Sequence, residues 1–216
     1  MAKLPKVLAI GSWSPEQVET RWREDQYEPP DEVERLADEA VQSLRERGSP
    51  SHDGPSARLA GYDSSSDRLS LELQPSRWAL RLLDGDASYS LTALCLVRSA
   101  DGRWLAGRRA AWLATWPQRW ALGAGGAVDV GESPAQTLSR ELHEEWRLTP
   151  ERLSVQALIA LPSGVAMLVG IATVADDSEP VPDDEHDEWA WWPADVEAWP
   201  EEAHEQLRAM GRLMSA

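Results

Sequence analysis

Three glutamates, Glu141, Glu144 and Glu145, are spaced three and four residues apart along a segment that reads as a helix. At about 100° per residue these positions share one face. As a set they are hard oxygen ligands of the kind that suit Mg2+ or Mn2+, ions that leave positions for water and for phosphate. Without a cation the set is unfavourable: it lies in the last turns of the helix, where the macrodipole disfavours anions by roughly 0.3–1 kcal/mol each, and the charges repel one another. Arg140, one turn before Glu144, is placed to pair with that carboxylate and hold it. A solvated acidic face is the competing reading of any Glu-rich helix, and these energetics weigh against it.

The helix that positions these side chains is well marked. Ser133 can cap it, Pro134 suits its first position, and Gln136 completes a capping-box pattern. Ala135, Leu138, Leu142 and Trp146 occupy the adjoining arc, so one edge can pack on a sheet while the acidic edge stays open to a cleft. Apolar runs predict strands over 91–97, 104–109 (after a turn at Asp101-Gly102), 153–161, 165–174 and 188–192, and a final helix over 201–214. Residues 112–131 are Trp- and Gly-rich. Ahead of these, residues 6–10 read as a short strand. The charged stretch from Pro15 reads as helical, with Val33, Leu36, Ala37, Ala40, Val41 and Leu44 at helical spacing before Gly48. Residues 58–62 and 68–73 read as two strands. Strands and helices alternate without a regular βαβ repeat, which predicts an α/β fold with a mixed sheet covered by helices. A boundary near residue 85 separates a small α+β extension, 1–85, from the main domain, 86–216.

The formal charge of −16 argues against nucleic acid or an anionic membrane as partner, since both require clustered Lys and Arg. An acidic protein that binds phosphates needs a cation. Cys95, the only cysteine, lies in an apolar run and reads as a buried small hydrophobe. The first residues lack the apolar stretch of a signal peptide, and no run approaches a membrane span, so the cytoplasm is the expected location. His52, His143, His186 and His204 have no zinc spacing, and Asp84-Gly-Asp86 is too short for a calcium loop.

The stretch Gly126-Ala-Val-Asp-Val-Gly-Glu132, seven residues, then Arg140-Glu-Leu-His-Glu-Glu145-Trp-Arg-Leu148 resembles the Nudix box at every specified position except Arg147, where the family has Gly. The resemblance extends over about residues 88–214, through Gly107-Arg-Arg109 and Trp120-Ala-Leu-Gly-Ala-Gly-Gly126. It implies an α/β/α sandwich and a metal-dependent hydrolase that cleaves a nucleoside diphosphate derivative by water attack on phosphorus. It implies Glu141, Glu144 and Glu145 as carboxylates for Mg2+ or Mn2+, with Glu132 in support and Arg140 orienting. The general base comes from the box or from a later loop, where Glu185 and Glu188 are candidates; a merely solvated acidic loop is the alternative. His143 falls at a variable position of the box. Arg108 and Arg109 could contact the diphosphate, and strand alternation lets only one face the cleft. Gly125 and Gly126, with Gly123, either let substrate approach the backbone or simply make turns. Trp112, Trp116 and Trp120 stack on a base or pack in the core.

The run Asp53-Gly-Pro-Ser-Ala-Arg-Leu-Ala-Gly61 followed by Leu69-Ser-Leu-Glu-Leu73 is similar in layout to the segment preceding the core of UDP-sugar-cleaving Nudix proteins. ADP-ribose, dinucleotides and CoA are the competing small-molecule classes. The rival function is a nucleotide-sensing module on the same fold. The amphipathic helix at 32–47 can serve a homodimer or pack on its own chain.

Overall fold

The alternating apolar runs build two sheets in the computed structural model, which describes residues 5–49, 53–83, 89–113 and 115–215. In chain order the elements are β1 (Lys6–Trp13), β2 (Val18–Trp22), α1 (Asp31–Glu46), β3 (Pro55–Ser64), β4 (Leu69–Arg77), β5 (Leu91–Ser99), β6 (Trp104–Arg109), β7 (Trp120–Leu122), β8 (Ala124–Ala127), α2 (Pro134–Trp146), β9 (Arg152–Ala160), β10 (Ala166–Val174), β11 (His186–Trp192) and α3 (Glu205–Ser215). The larger sheet runs β1-β9-β10-β5-β6-β11, with β7 paired to β6 and β8 to β5. It is mixed: β10 and β5 are parallel from Leu91↔Ala166 to Ser99↔Val174, and the other pairs are antiparallel. The smaller sheet, β2-β4-β3, joins a parallel and an antiparallel pair.

Alternation along β5 divides the core. Leu91, Ala93 and Cys95 face α2 and pack with Leu138, Leu142 and Trp146. Leu96 faces the other layer, where Trp104, Trp192 and Trp199 pack with Leu207 of α3. The sheet is therefore covered on both faces, the α/β/α arrangement the sequence implied. Tryptophan fills the second layer in a chain with twelve Trp and no Phe: Trp104 meets Trp199 edge-on at 5.9 Å, and Trp192 lies 5.3 Å from Trp199 and 5.5 Å from Trp120.

Three stretches of the chain differ from expectation. Val18–Trp22 is a strand rather than part of a helix, because it pairs in parallel with Leu69–Leu73, a partner some fifty residues away. The Trp- and Gly-rich stretch contains β7 and β8, too short to leave a periodic signal. β1 joins the edge of the larger sheet by pairing with β9, so that sheet draws on residues from both sides of position 85. That position, Asp84-Gly-Asp86 and His52 lie outside the described residues. The smaller sheet is also tied to the larger one: Ala57 N–H donates to the Val128 carbonyl at 2.7 Å and Leu59 N–H to Tyr89 at 2.9 Å. The apolar face of α1, Ala37 and Val41, packs on its own chain, against Ala79 and Leu80. Among the described residues, no helix is long and apolar enough to cross a membrane.

Candidate active site

α2 starts as its sequence dictates. Ser133 accepts from Ala135 N–H, Gln136 closes the capping box by accepting from Ser133 N–H at 2.9 Å, and Pro134 occupies the first turn. Its far end is closed by Arg147, which takes the left-handed conformation (φ 55, ψ 24) and donates its N–H to the His143 carbonyl at 2.9 Å. Arg147 thus adopts the backbone geometry that favours Gly. Two further carbonyls of the last turn are satisfied from outside the helix, because Asp183 N–H donates to Glu145 and Val181 N–H to Trp146, each at 2.9 Å. Capping the helix in this way brings residues 181–186 up to the acidic face.

The box carboxylates fall into distinct environments. Arg140 is the hub: Nε and Nη2 reach Glu132 at 3.1 Å, Nη1 reaches Glu141 at 2.6 Å and Glu144 at 3.0 Å, and Nη2 also donates to the Ala127 carbonyl at 3.1 Å. Burial raises the Glu132 pKa, but hydrogen bonds from Arg140 and Thr137 outweigh it and hold the carboxyl below its usual value. Glu141 is only 9% exposed, and there burial wins, pushing its carboxyl up to about 7 against the opposing charge of Arg140. Glu145, 3% exposed, is pushed well above the usual range by burial and by the nearby Glu185, although Gly125 N–H donates to its Oε1 at 2.7 Å. Among the described residues, no three acidic, His or Cys side chains converge in a ready-made metal cage; Arg140 draws Glu132, Glu141 and Glu144 to itself.

Gly126 shows why the box needs a glycine there: a Cβ would fall inside the Glu141 carboxylate, 2.8 Å from Oε2. Gly125 donates its N–H to Glu145. These two glycines serve the carboxylates directly.

Of the two β6 arginines, Arg108 is tied outward, to Asp187 at 2.7 Å and Glu188 at 3.2 Å. Arg109 donates Nε to the Thr115 carbonyl at 2.9 Å, and its charge acts on Glu145 and Glu185. The acidic-loop candidates separate likewise. Glu188 is exposed and paired with Arg108, whereas Glu185 is half-buried beside Glu145, its carboxyl raised by burial in spite of Arg109. Trp116 packs edge-on to His204 at 4.5 Å and Trp120 packs on Trp192, both against the layer that carries α3.

Sequence reasoning passed over two residues. His186 is buried on Trp146 with ring centroids 4.4 Å apart; its Nε2 lies 3.7 Å from Glu145 Oε2 and its Nδ1 3.6 Å from Asp183 Oδ1. Gly107 makes room for it, since a Cβ there would run into the His186 ring and come within 2.8 Å of Trp146. Arg81, in the short turn Trp78–Leu82, acts electrostatically on Glu141, Glu185 and Arg109; burial pushes its guanidinium down and the two glutamates oppose that shift. His186 sits inside an acidic loop already suspected, but Arg81 stands in an apolar run with no local sign of a site. Two surface clefts of about 630 Å3 and 620 Å3 lie beside α1, and neither is lined by a box residue.

A family model for the NUDIX domain matches residues 88–213, more than half of the chain. Among solved structures, the chain is similar to the MutT protein from Methanosarcina mazei Go1, at 23% identity over 59% of this chain and 96% of that one, with a TM-score of 0.45. It is also similar to the NUDIX domain of Shewanella oneidensis NrtR complexed with ADP ribose, at 21% identity over 59% and 88% of the two chains and a TM-score of 0.46. A C. elegans Ap4A hydrolase binary complex stands at 21% identity, 58% and 95% coverage and a TM-score of 0.45. No curated protein matches the sequence. The box, whose loop and helix bring Glu132, Glu141 and Glu144 around Arg140, lies wholly within the span of the family match, and the chain accordingly belongs to the Nudix family.

Proposed function

We propose that the protein hydrolyses the diphosphate linkage of a nucleoside diphosphate derivative, with Mg2+ or Mn2+ held by Glu141, Glu144 and Glu145 and supported by Glu132. The observation that carries this reading is that Glu141 and Glu145 are buried side by side with raised pKa values although Arg140 is at hand. A hard divalent cation fits that donor set, because it supplies the charge the buried carboxylates lack. When bound, such an ion neutralises the diphosphate and acidifies the attacking water.

The chain's own residues do the rest. Glu145 is fixed by Gly125 N–H and Glu141 by Arg140, so each carboxylate has a defined direction. Arg109 is the β6 arginine assigned to the phosphate oxygens, because Arg108 is tied to Asp187 and Glu188. Glu185 is the better candidate for general base: a half-buried carboxyl with a raised pKa is a better proton acceptor near neutrality than an exposed one paired with arginine. As the water oxygen forms its bond to phosphorus, its proton passes to Glu185 and the bridging P–O bond breaks, releasing a nucleoside monophosphate and the phosphorylated remainder. The layout of residues 53–73, similar to that of UDP-sugar-cleaving Nudix proteins, makes a nucleoside diphosphate sugar one substrate class to test beside ADP-ribose, dinucleotides and CoA.

The test is a substrate panel of nucleoside diphosphate sugars, ADP-ribose, dinucleotides and CoA, with and without Mg2+ or Mn2+, alongside Glu145→Gln. Metal-dependent product formation that disappears in the variant is expected. Tight nucleotide binding without turnover of any compound would instead identify a sensor.

A further inference from the structure

Arg81 belongs to residues 1–85, yet its charge is within electrostatic reach of Glu141 on the Nudix helix and of Glu185. Its turn, Trp78–Leu82, is rigidly mounted: Trp78 N–H donates to the Gly54 carbonyl at 2.8 Å, Ala79 N–H donates to Asp53 Oδ1 at 3.0 Å, and Ala79 and Leu80 are fully buried against α1. The sheet that carries this turn is joined to the box loop by a backbone hydrogen bond from Ala57 N–H to the Val128 carbonyl. The guanidinium itself lies over the Trp78 ring, 5.5 Å from its centroid.

The treatment of charge is the informative contrast. Arg77, on the same segment, is neutralised by Glu34, Asp38 and Asp53. Arg81 is within electrostatic reach of Glu141 and Glu185 but makes no ion pair with any described carboxylate, and neither does Arg109. Each of these arginines is steadied by an uncharged group, a tryptophan ring in one case and the Thr115 carbonyl in the other. Two like charges held near each other with no ion-pair partner among the described residues form a site for an anion with more than one negative oxygen.

We propose that Arg81 is a substrate-binding residue: the region ahead of the Nudix domain supplies it to clamp, together with Arg109, the diphosphate of the substrate. The proposal rests on the diphosphate-hydrolase reading and deepens it, since the extension then completes the active site.

The experiment compares wild type, Arg81→Gln, Arg81→Lys and, as a control for lost surface charge, Arg35→Gln. It reads KM and kcat on the substrate found in the panel, and equilibrium binding of methylenediphosphonate, a non-hydrolysable diphosphate, in Mg2+. Arg81→Gln should raise KM and weaken methylenediphosphonate binding by roughly 10- to 100-fold, as loss of a hydrogen bond between charged groups does. kcat should change less, and Arg81→Lys should recover part of the loss. Unchanged KM and binding in Arg81→Gln, or in Arg81→Lys should the Gln variant not fold, would overturn the assignment while leaving the hydrolase reading intact. If wild type turns over nothing, the hydrolase reading fails, and the methylenediphosphonate comparison alone decides Arg81.

Discussion

Arg147 offers a clean test of how the helix ends, because the strain there is carried by one Cβ. At φ 55 and ψ 24 an L-residue pays roughly 1–2 kcal/mol relative to a right-handed conformation. Glycine relieves that strain but loses about 0.4–1 kcal/mol through the greater freedom of the unfolded chain. Removing the arginine also forfeits a favourable cation at the helix C-terminus, on the order of 0.3–1 kcal/mol. The informative comparison is therefore between Arg147→Gly and Arg147→Ala, which lose the same charge and differ only in the Cβ. The Gly variant should be more stable by about 0.5–1 kcal/mol, which for a chain of this size is roughly 1–4 °C in Tm. Thermal unfolding by calorimetry in EDTA at neutral pH measures it. Arg147 is exposed and its backbone N–H bond is retained in both variants, so kcat/KM should stay close to wild type. A Tm for the Ala variant equal to or above that of the Gly variant would refute the strain argument.

Gly126→Ala should push the Glu141 carboxylate aside; a displacement near 1 Å costs on the order of 100-fold in turnover, so full activity in this variant would show that Glu141 is not held as described. Gly107→Ala should overpack His186 and Trp146 and destabilise by about 1–3 kcal/mol, read as a fall in Tm; an unchanged melting curve would mean that the His186 pocket is loose. The buried carboxylates also fix the sign of a pH effect. Glu141 titrates at about 7 when folded, Glu145 is raised as well, and both revert to the ordinary carboxylate range on unfolding, so the folded state binds more protons across the window from ordinary values to about 7. Through these two groups stability falls as pH rises across that window, and added Mg2+ should raise Tm more at pH 8 than at pH 5, because it binds the ionised form. An equal Mg2+ effect at both pH values would count against Glu141 and Glu145 as the cation's ligands.

The local parts of the site were legible in the sequence and the distant parts were not. Ser133, Pro134 and Gln136 announce the start of α2, and the arc of Leu138, Leu142 and Trp146 orients it, because helix periodicity and capping act within a few residues. Val18–Trp22 misleads because a five-residue strand with charged positions is defined by its distant parallel partner. β1 gives no sign in its own residues that it will pair with β9. His186 acquires meaning only where it meets Glu145 and Trp146 some forty residues away, and Arg81 only where its charge comes within reach of Glu141 and Glu185.

One arginine cannot neutralise four carboxylates, and its placement sorts them. Arg140 gives Glu132 a two-pronged contact, helped by Thr137 Oγ1 donating at 2.7 Å, and so fixes the loop that precedes the helix as a permanent anion. It gives Glu141 a single contact that burial overrides, and it does not reach Glu145, whose bond comes from a neutral backbone N–H. The carboxylates left with the most uncompensated desolvation are thus the two deepest on the helix, where a cation and a phosphate would gain most from negative charge. Replacing Arg140 by Lys would keep the charge but lose the fork that reaches Glu132, Glu141, Glu144 and the Ala127 carbonyl at once, so the division between clamped and available carboxylates depends on guanidinium geometry rather than on charge alone.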